Sequence, residues 1–328
     1  MDQSAATDGE SRADRRFPGT GTLLRVGFVV AAAAFAIWAV VRNWTQLARA
    51  WENVETGPIL LALLCTVVGT FAAYPAWWKL LLGLGSRLPP VAGARVFLLG
   101  QLGKYVPGGV WSILAQVSLA RELQVPRTRS GTAGLLSVLV GLITSGFLGT
   151  VCLAVSGRQV LGEYAWVLLL ATPTVALLHP AVLSWLARRA SKITRRTIAI
   201  ERMPRSALFV AAAVQGTGNL VLGVGFYFVV GTVSGTWVPV LLAVGLFNLA
   251  SAVGVLVPIA PAGVGIREVI LAAGLSPLGG GLNSGAVVLI VLVSRMLSIL
   301  TDFTLAGAAG LGGLKGRRAL REQQPAQR

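Results

Sequence analysis

One histidine and two cysteines are all that a chain of 328 residues holds by way of soft metal ligands and nucleophile–base partners. The histidine, His179, precedes Pro180 near the end of an apolar run, and no second one stands anywhere to complete a metal site or a triad. Catalysis by Cys/His or Ser/His logic has almost no material here. Cys65 and Cys152 both lie within apolar sequence without metal-ligand spacing, and read as packing residues. Acidic residues are scarce too, 12 against 28 lysines and arginines. Only Glu268 and Asp302 fall where the sequence carries them to membrane depth, and they form no DxxD-like cluster of the kind a metal-dependent lipid-phosphate transferase needs. No nucleotide-binding loop occurs, which argues against ATP hydrolysis by the chain itself. The expectation is a protein without metal or cofactor, and not an enzyme.

What is present in excess is apolar sequence. Hydrophobic residues make up 55% of the chain and charged ones 12%, with a mean hydropathy of +0.74. A soluble domain cannot bury that much apolar surface, so the chain reads as an all-α polytopic membrane protein. The net charge of +16 does not point to nucleic acid, because the basic residues sit in tails and in short loops between apolar runs. That placement is the positive-inside bias, with attraction to anionic lipid headgroups added.

Six apolar runs are long enough to cross a bilayer: residues 23–41, 58–82, 132–155, 164–186, 207–230 and 286–311. Pro173 and Pro180 are expected to kink the fourth, which membrane helices tolerate. The first run is longer than a signal-peptide core and lacks a convincing cleavage site, so it reads as a retained span. Trp38, Trp44, Trp51, Trp77, Trp78, Trp166 and Trp237 read as interfacial anchors near span ends. Residues 1–21 are polar, mixed in charge and expected to be disordered in the cytoplasm; 22–312 form the transmembrane domain; 313–328 are a basic cytoplasmic tail. The loop carrying Arg188, Arg189, Lys192, Arg195, Arg196, Arg202 and Arg205 is cytoplasmic by the same rule, as is the tail with Lys315, Arg317, Arg318 and Arg321.

Two further apolar runs, 96–120 and 238–275, are broken by proline and glycine. In the first, Gly103-Lys104-Tyr105-Val106-Pro107-Gly108-Gly109 interrupts arms of roughly 15 and 16 Å, each half of a core about 30 Å thick. Arg87, Arg95, Arg121, Arg127 and Arg129 flank this segment on both sides, so it is expected to enter from the cytoplasm and return to it. For 238–275, a full crossing followed by a dip would leave the basic tail outside. Two full crossings would ask 264–275, about 18 Å of helix, to span. A hairpin entering from outside returns the tail to the cytoplasm and is the reading adopted, its long first arm being tilted or beginning near Leu246. The segments match locally: Tyr105-Val106-Pro107-Gly108-Gly109-Val110 aligns with Ile259-Ala260-Pro261-Ala262-Gly263-Val264. Full spans flank each, so the arrangement expected is an inverted-topology repeat with two re-entrant hairpins, the layout of alternating-access transporters.

Charge inside these segments marks the candidate site. A cation at membrane depth is costly and therefore a functional candidate. Lys104 lies too deep for easy snorkelling and either binds a ligand or pairs structurally. Pro107 and Pro261 set the breaks. Gly108, Gly109, Gly263 and Gly265 follow them at the start of a half-helix, where exposed N–H groups favour an anion, although small residues there also permit tight packing. Arg267 offers a guanidinium fork to a phosphate; Glu268 is either a ligand or an ordinary dipole match in a first helical turn. Arg295 and Asp302 stand seven residues apart on one helix face, either as a buried intrahelical or interhelical ion pair or as phosphate ligand and counter-charge. Tyr105 and Trp111 are expected to wall the cavity, and Asn248 and Gln101 to bond between helices.

The motifs Gly103-Lys104-Tyr105-Val106-Pro107-Gly108-Gly109 and Pro261-Ala262-Gly263-Val264-Gly265-Ile266-Arg267-Glu268, with Arg295 in the last span, resemble the integral-membrane region of lysylphosphatidylglycerol synthases (multiple peptide resistance factor) and their stand-alone flippase-like relatives. The resemblance covers about 23–311. That family usually has glycine at the Ala262 position, and often an acidic–basic pair where this chain reads Ser137-Val138-Leu139-Val140-Gly141. With no soluble transferase domain after Leu311, the resemblance implies movement of an anionic or phosphate-linked polar-headed lipid between leaflets of the cell membrane. The lipid would be held between the hairpins by Lys104, Arg267 and Arg295. The alternatives are a non-catalytic membrane partner of a soluble or membrane transferase, and a lipid-phosphate-dependent transferase.

Overall fold

The computed structural model describes residues 41, 45, 55–106, 109–156, 203–257, 263, 265–275 and 284–322, without the side chains of 284 and 312–322. Among these residues every regular element is helical, and the order is α1 (Thr56–Gly83), α2 (Pro90–Gln101), a 3-10 turn (Leu102–Tyr105), α3 (Trp111–Arg121), α4 (Arg127–Val155), α5 (Arg205–Ser234), α6 (Val240–Leu256), α7 (Ile266–Leu275) and α8 (Ser284–Glu322). Among the described residues, four helices are long and apolar enough to cross a membrane: α1, α4, α5 and the part of α8 from Gly285 to Leu311. They correspond to four of the six runs expected to span. The other two, 23–41 (Val41 apart) and 164–186, lie outside the described residues, as do the N-terminal 1–21, His179, residues 188–202 of the basic loop, whose Arg205 opens α5, and residues 323–328.

Proline starts the helices here. Pro89, Pro126, Pro204 and Pro239 are the N-caps of α2, α4, α5 and α6, with no side-chain cap at any of them. The fixed φ of proline suits a first turn and its missing N–H is no loss there. Its carbonyl still accepts, from Gly93 N–H at 2.9 Å for Pro89 and from Ser130 N–H at 3.1 Å for Pro126. The first arm of the first broken segment therefore begins at Pro90, six residues before the apolar run suggested, because the Pro89–Pro90 step and not hydropathy sets the start.

Helices α2 and α3 lie antiparallel. A Cβ on Gly100 would meet Gln116 and one on Gly103 would stand 2.6 Å from Ser112 N, so positions pair in opposite chain directions. Helices α6 and α7 do the same: Gly274 faces Leu246 and Gly254 faces Gly263 and Arg267. Both broken segments are thus helical hairpins. The second is unequal, its arms of 17 and 10 residues running about 25 and 15 Å. Its first arm starts at Val240, not near Leu246, since Pro239 sets that start as well.

The order span, short helix, short helix, span occurs twice, as α1–α4 and as α5–α8. The leading helices of the two sets, α1 and α5, pack antiparallel. Glu55 N–H donates to Thr232 Oγ1 at one end, and Gly83 faces Ala207 at the other. Their closest approach is where Gly69 and Gly218 meet, a Cβ on Gly69 falling 2.7 Å from the carbonyl oxygen of Gly218. Two cores result. Trp77, Tyr74 and Phe97 join α1 to α2, and Leu242, Leu246, Leu249, Leu271, Leu275 and Ile290 seat the second hairpin against α8. Trp77 is fully buried in the first core, which corrects its reading as an interfacial anchor. Its neighbour Trp78 donates its indole N–H to the Leu88 carbonyl at 2.9 Å, whereas Trp237 is half exposed beside Tyr227. Trp38, Trp44, Trp51 and Trp166 lie outside the described residues. Cys152 is buried and Cys65 partly buried, both as free thiols.

Candidate functional site

The two hairpin tips and the middle of α8 enclose one cavity of about 300 Å³. Gln101, Lys104, Tyr105, Gly109 and Ser112 line it from the first hairpin, Gly254, Gly263 and Arg267 from the second, and Arg295, Ser298 and Asp302 from α8. Val138 of α4 and Val255 of α6 complete the wall, each with two-fifths or more of its surface exposed, so apolar side chains flank the charged ones. That volume is at the small end for ligand sites: it suits a headgroup and not a whole lipid.

Glycine makes the tips possible. Gly109 and Gly263, the positions that align in the two motifs, have φ of +66° and +71°, a left-handed conformation that costs glycine nothing. Gly265, at φ +89°, precedes α7, and Glu268 three residues later accepts the Gly265 N–H at 2.7 Å. This is the return half of a capping box, which gives Glu268 a local structural task. Pro107, Gly108 and Pro261 lie outside the described residues.

Each hairpin is tied to α8 by an ion pair, and the two pairs have opposite polarity. Lys104 Nζ stands 2.7 Å from Asp302 Oδ2, and the Tyr105 hydroxyl donates to the same oxygen at 2.5 Å. The Asp302 side chain is only 3% exposed, so it has given up water for these two donors, while Lys104 keeps a third of its surface. Tyr105 also stacks on Phe303, with ring centroids 5.8 Å apart. From the second hairpin, Glu268 Oε1 faces Arg295 Nη1 at a looser 3.6 Å. Arg295 and Asp302 do share a face of α8, yet they pair with different hairpins, so the intrahelical pairing open to them in sequence is not formed. Seven residues place them about 10 Å apart along the axis, which suits partners on separate elements better than each other.

Arg267 differs from the other two cations. Among the described residues no carboxylate forms an ion pair with it, and its Nη2 is buried without a hydrogen-bond partner. Its guanidinium rests over the Phe247 ring, 4.5 Å from the centroid. The five ionised groups here are Lys104, Arg267 and Arg295 against Glu268 and Asp302, three positive charges less two negative, which leaves +1.

The family model for the lysylphosphatidylglycerol synthase TM region matches residues 23–306. The chain belongs to that family. Among curated proteins, none matches it in sequence. In this member of the family, most of the residues singled out by their rarity converge: Lys104, Tyr105, Gly109, Gly263, Arg267, Arg295 and Asp302 line one cavity, with Glu268 and Gly265 immediately behind. Trp111 does not line it; at the first position of α3 it is 42% exposed to the surroundings. Ser112, Ser251 and Ser298 supply hydroxyls that sequence reasoning passed over. Ser298 was within reach of that reasoning, being one helical turn from Arg295.

A second polar feature of this transmembrane region also went unnoticed. Asn219 of α5 donates to Thr144 Oγ1 at 2.9 Å and Ser145 Oγ at 3.0 Å on α4, and accepts from Gln215 at 3.1 Å. Asn248 on α6 donates to the Asn219 carbonyl at 3.1 Å, as expected of an interhelical amide. The signal was Gln215 and Asn219, two amides one turn apart in an apolar span.

Proposed function

We propose that this protein moves a lipid with an anionic or phosphate-linked headgroup between the leaflets of the cell membrane, without chemically altering it. The observation that carries this reading is Arg267. Arg267 lines the cavity with no carboxylate paired to it among the described residues, and the phosphate of a headgroup matches the fork of such a guanidinium. The cavity accepts the headgroup, and the apolar rim at Val138 and Val255 leaves the acyl chains in the bilayer. Repetition of the element order, the antiparallel α1 and α5, and the left-handed glycines at aligned positions support two hairpins dipping from opposite leaflets in an inverted repeat. Alternating access would then expose the cavity to each leaflet in turn, with both chain ends cytoplasmic.

The test is headgroup movement in proteoliposomes, followed with a fluorescent phospholipid quenched from outside. Arg267→Gln should slow movement at least tenfold while the variant keeps the unfolding temperature of the parent chain. Undiminished movement would reject the reading. Arg267 is preferable to Lys104 for this purpose, because removing Lys104 also strips the partner from buried Asp302.

A further inference from the structure

We propose that Phe247 is a positioning residue of the cavity: its ring holds the Arg267 guanidinium, still charged, in place for the phosphate of a lipid headgroup and away from the carboxylates of the site. This role deepens the reading of Arg267 as a headgroup ligand and rests on it.

The three cations of the cavity have partners of different kinds. Lys104 has the Asp302 carboxylate at 2.7 Å and Arg295 has Glu268 at 3.6 Å. Arg267 has an aromatic ring: its guanidinium carbon lies 4.5 Å from the centroid of Phe247, on the other arm of the same hairpin. The side chain is laid along α6 to reach it. A Cβ on Gly254 would meet the Arg267 Cβ at 3.6 Å, so the stem starts level with Gly254 while the head ends two turns earlier, at Phe247. The ring is fixed from behind. Phe247 is 7% exposed within the larger core, and Phe226 of α5 packs on it with centroids 5.4 Å apart and planes tilted by 40°.

A carboxylate and a ring do different things to a cation. A carboxylate cancels the charge and takes up N–H groups, and an incoming phosphate then has to displace it. A ring attracts the cation through its quadrupole, most strongly where water is excluded, and leaves the unit charge in place. Carboxylates are close at hand: Glu268 is the next residue on α7, and Asp302 lines the same cavity. An arginine that lost its ring would be free, by its flexible stem, to turn to either. Each such arrangement subtracts from the fraction of molecules ready for the anion, and apparent affinity falls in proportion. Phe247 itself does not line the cavity, so it acts through Arg267.

The experiment uses the full chain in detergent micelles, with dihexanoyl phosphatidylglycerol titrated calorimetrically. Mono-, di- and trifluorinated phenylalanine replace Phe247 by nonsense suppression. Fluorine drains the negative potential from the ring face at nearly constant volume, so the unfolding temperature should stay that of the parent chain. The dissociation constant is expected to rise stepwise through the series, by about tenfold at the trifluoro ring. A flat series would mean that the ring only packs, and a falling constant that it competes with the lipid for Arg267; either overturns the proposal. The same series at Phe226, which backs the ring, is expected to stay within about twofold of the parent. An equal rise there would assign the effect to core packing and overturn the proposal as well. Arg267→Gln that binds the lipid as the parent chain does would sink the reading of Arg267, and Phe247 with it. Lost binding in Arg267→Gln beside a flat series at Phe247 would sink the positioning role alone. Glycerol phosphate bound as tightly as the lipid would overturn the assignment to a lipid headgroup. A graded loss of binding in a protein that moves no lipid in proteoliposomes would sink translocation and leave Phe247 in its role.

Discussion

The two hairpins meet in one cavity but use their cations in opposite ways. In the first, Lys104 is held by Asp302 and closes the contact between hairpin and α8. In the second, the contact with α8 is made by the carboxylate of Glu268, and the cation of that hairpin, Arg267, is left over an aromatic ring with a nitrogen unpartnered. Their arms differ as well. The first has short arms of 12 and 11 residues that press together at Gly103, where a Cβ would stand 2.6 Å from backbone, whereas in the second a Cβ on Gly254 would meet its neighbours at an ordinary 3.4 Å. The comparison teaches that the cation of one hairpin is spent on a contact with α8, while that of the other is not. A charged residue at membrane depth is not by itself a ligand site; its partner decides.

The strongest test of that asymmetry is the Lys104 pair. Lys104→Met leaves Asp302 buried without its cation and should cost about 3 kcal/mol, read as a lower unfolding midpoint in micelles. Adding Asp302→Leu removes the orphaned carboxylate, and the double variant should regain more than half of the loss. No recovery would mean that Lys104 contributes through something other than this pair. Next in size is Gly103→Ala, whose new Cβ would lie 2.6 Å from the Ser112 backbone; a loss of about 2 kcal/mol is expected from overpacking that no rotamer relieves. The matching change in the second hairpin, Gly254→Ala, meets its neighbours at 3.4 Å and should fall within about 0.5 kcal/mol of the parent. Equal losses would erase the distinction between the hairpins. Glu268→Ala removes the acceptor for the Gly265 N–H and should lower stability by about 1 kcal/mol, most of which Glu268→Gln restores. Smallest is Arg267→Gln, expected to leave stability within about 0.5 kcal/mol while abolishing anion binding. A large loss of stability in that variant would make Arg267 an anchor like Lys104.

Sequence carried the position of the site further than its wiring. Charges so rare in apolar runs marked Lys104, Arg267, Arg295 and Asp302 directly, and proline–glycine breaks marked the tips. Pairing was out of reach because the partners of Asp302 stand almost 200 residues earlier in the chain, and only the docking of the first hairpin on α8 selects Lys104 over Arg295. The first arm of the first hairpin starts six residues before its apolar run, at Pro90, and that of the second at Val240 and not near Leu246, since hydropathy windows average over the proline that sets each start. Trp77 was misplaced for a related reason: the aromatic-belt rule uses position along the chain and takes no account of burial against Phe97. The Asn219 network drew no attention because its members are uncharged and scattered over three helices.

Arg295 and Asp302 have one more consequence. A rigid helix carrying two oppositely charged attachment points, two turns apart, acts as a ruler for both hairpins at once. One residue inserted between Met296 and Thr301 would swing one attachment point about 100° around the axis and lengthen the ruler by about 1.5 Å. No side-chain rotation recovers that angle, so either the Lys104 contact or the Glu268 contact has to break. Spacing on α8, and not only the identity of its charges, is therefore fixed by the geometry of two segments that lie more than a hundred residues apart in the chain.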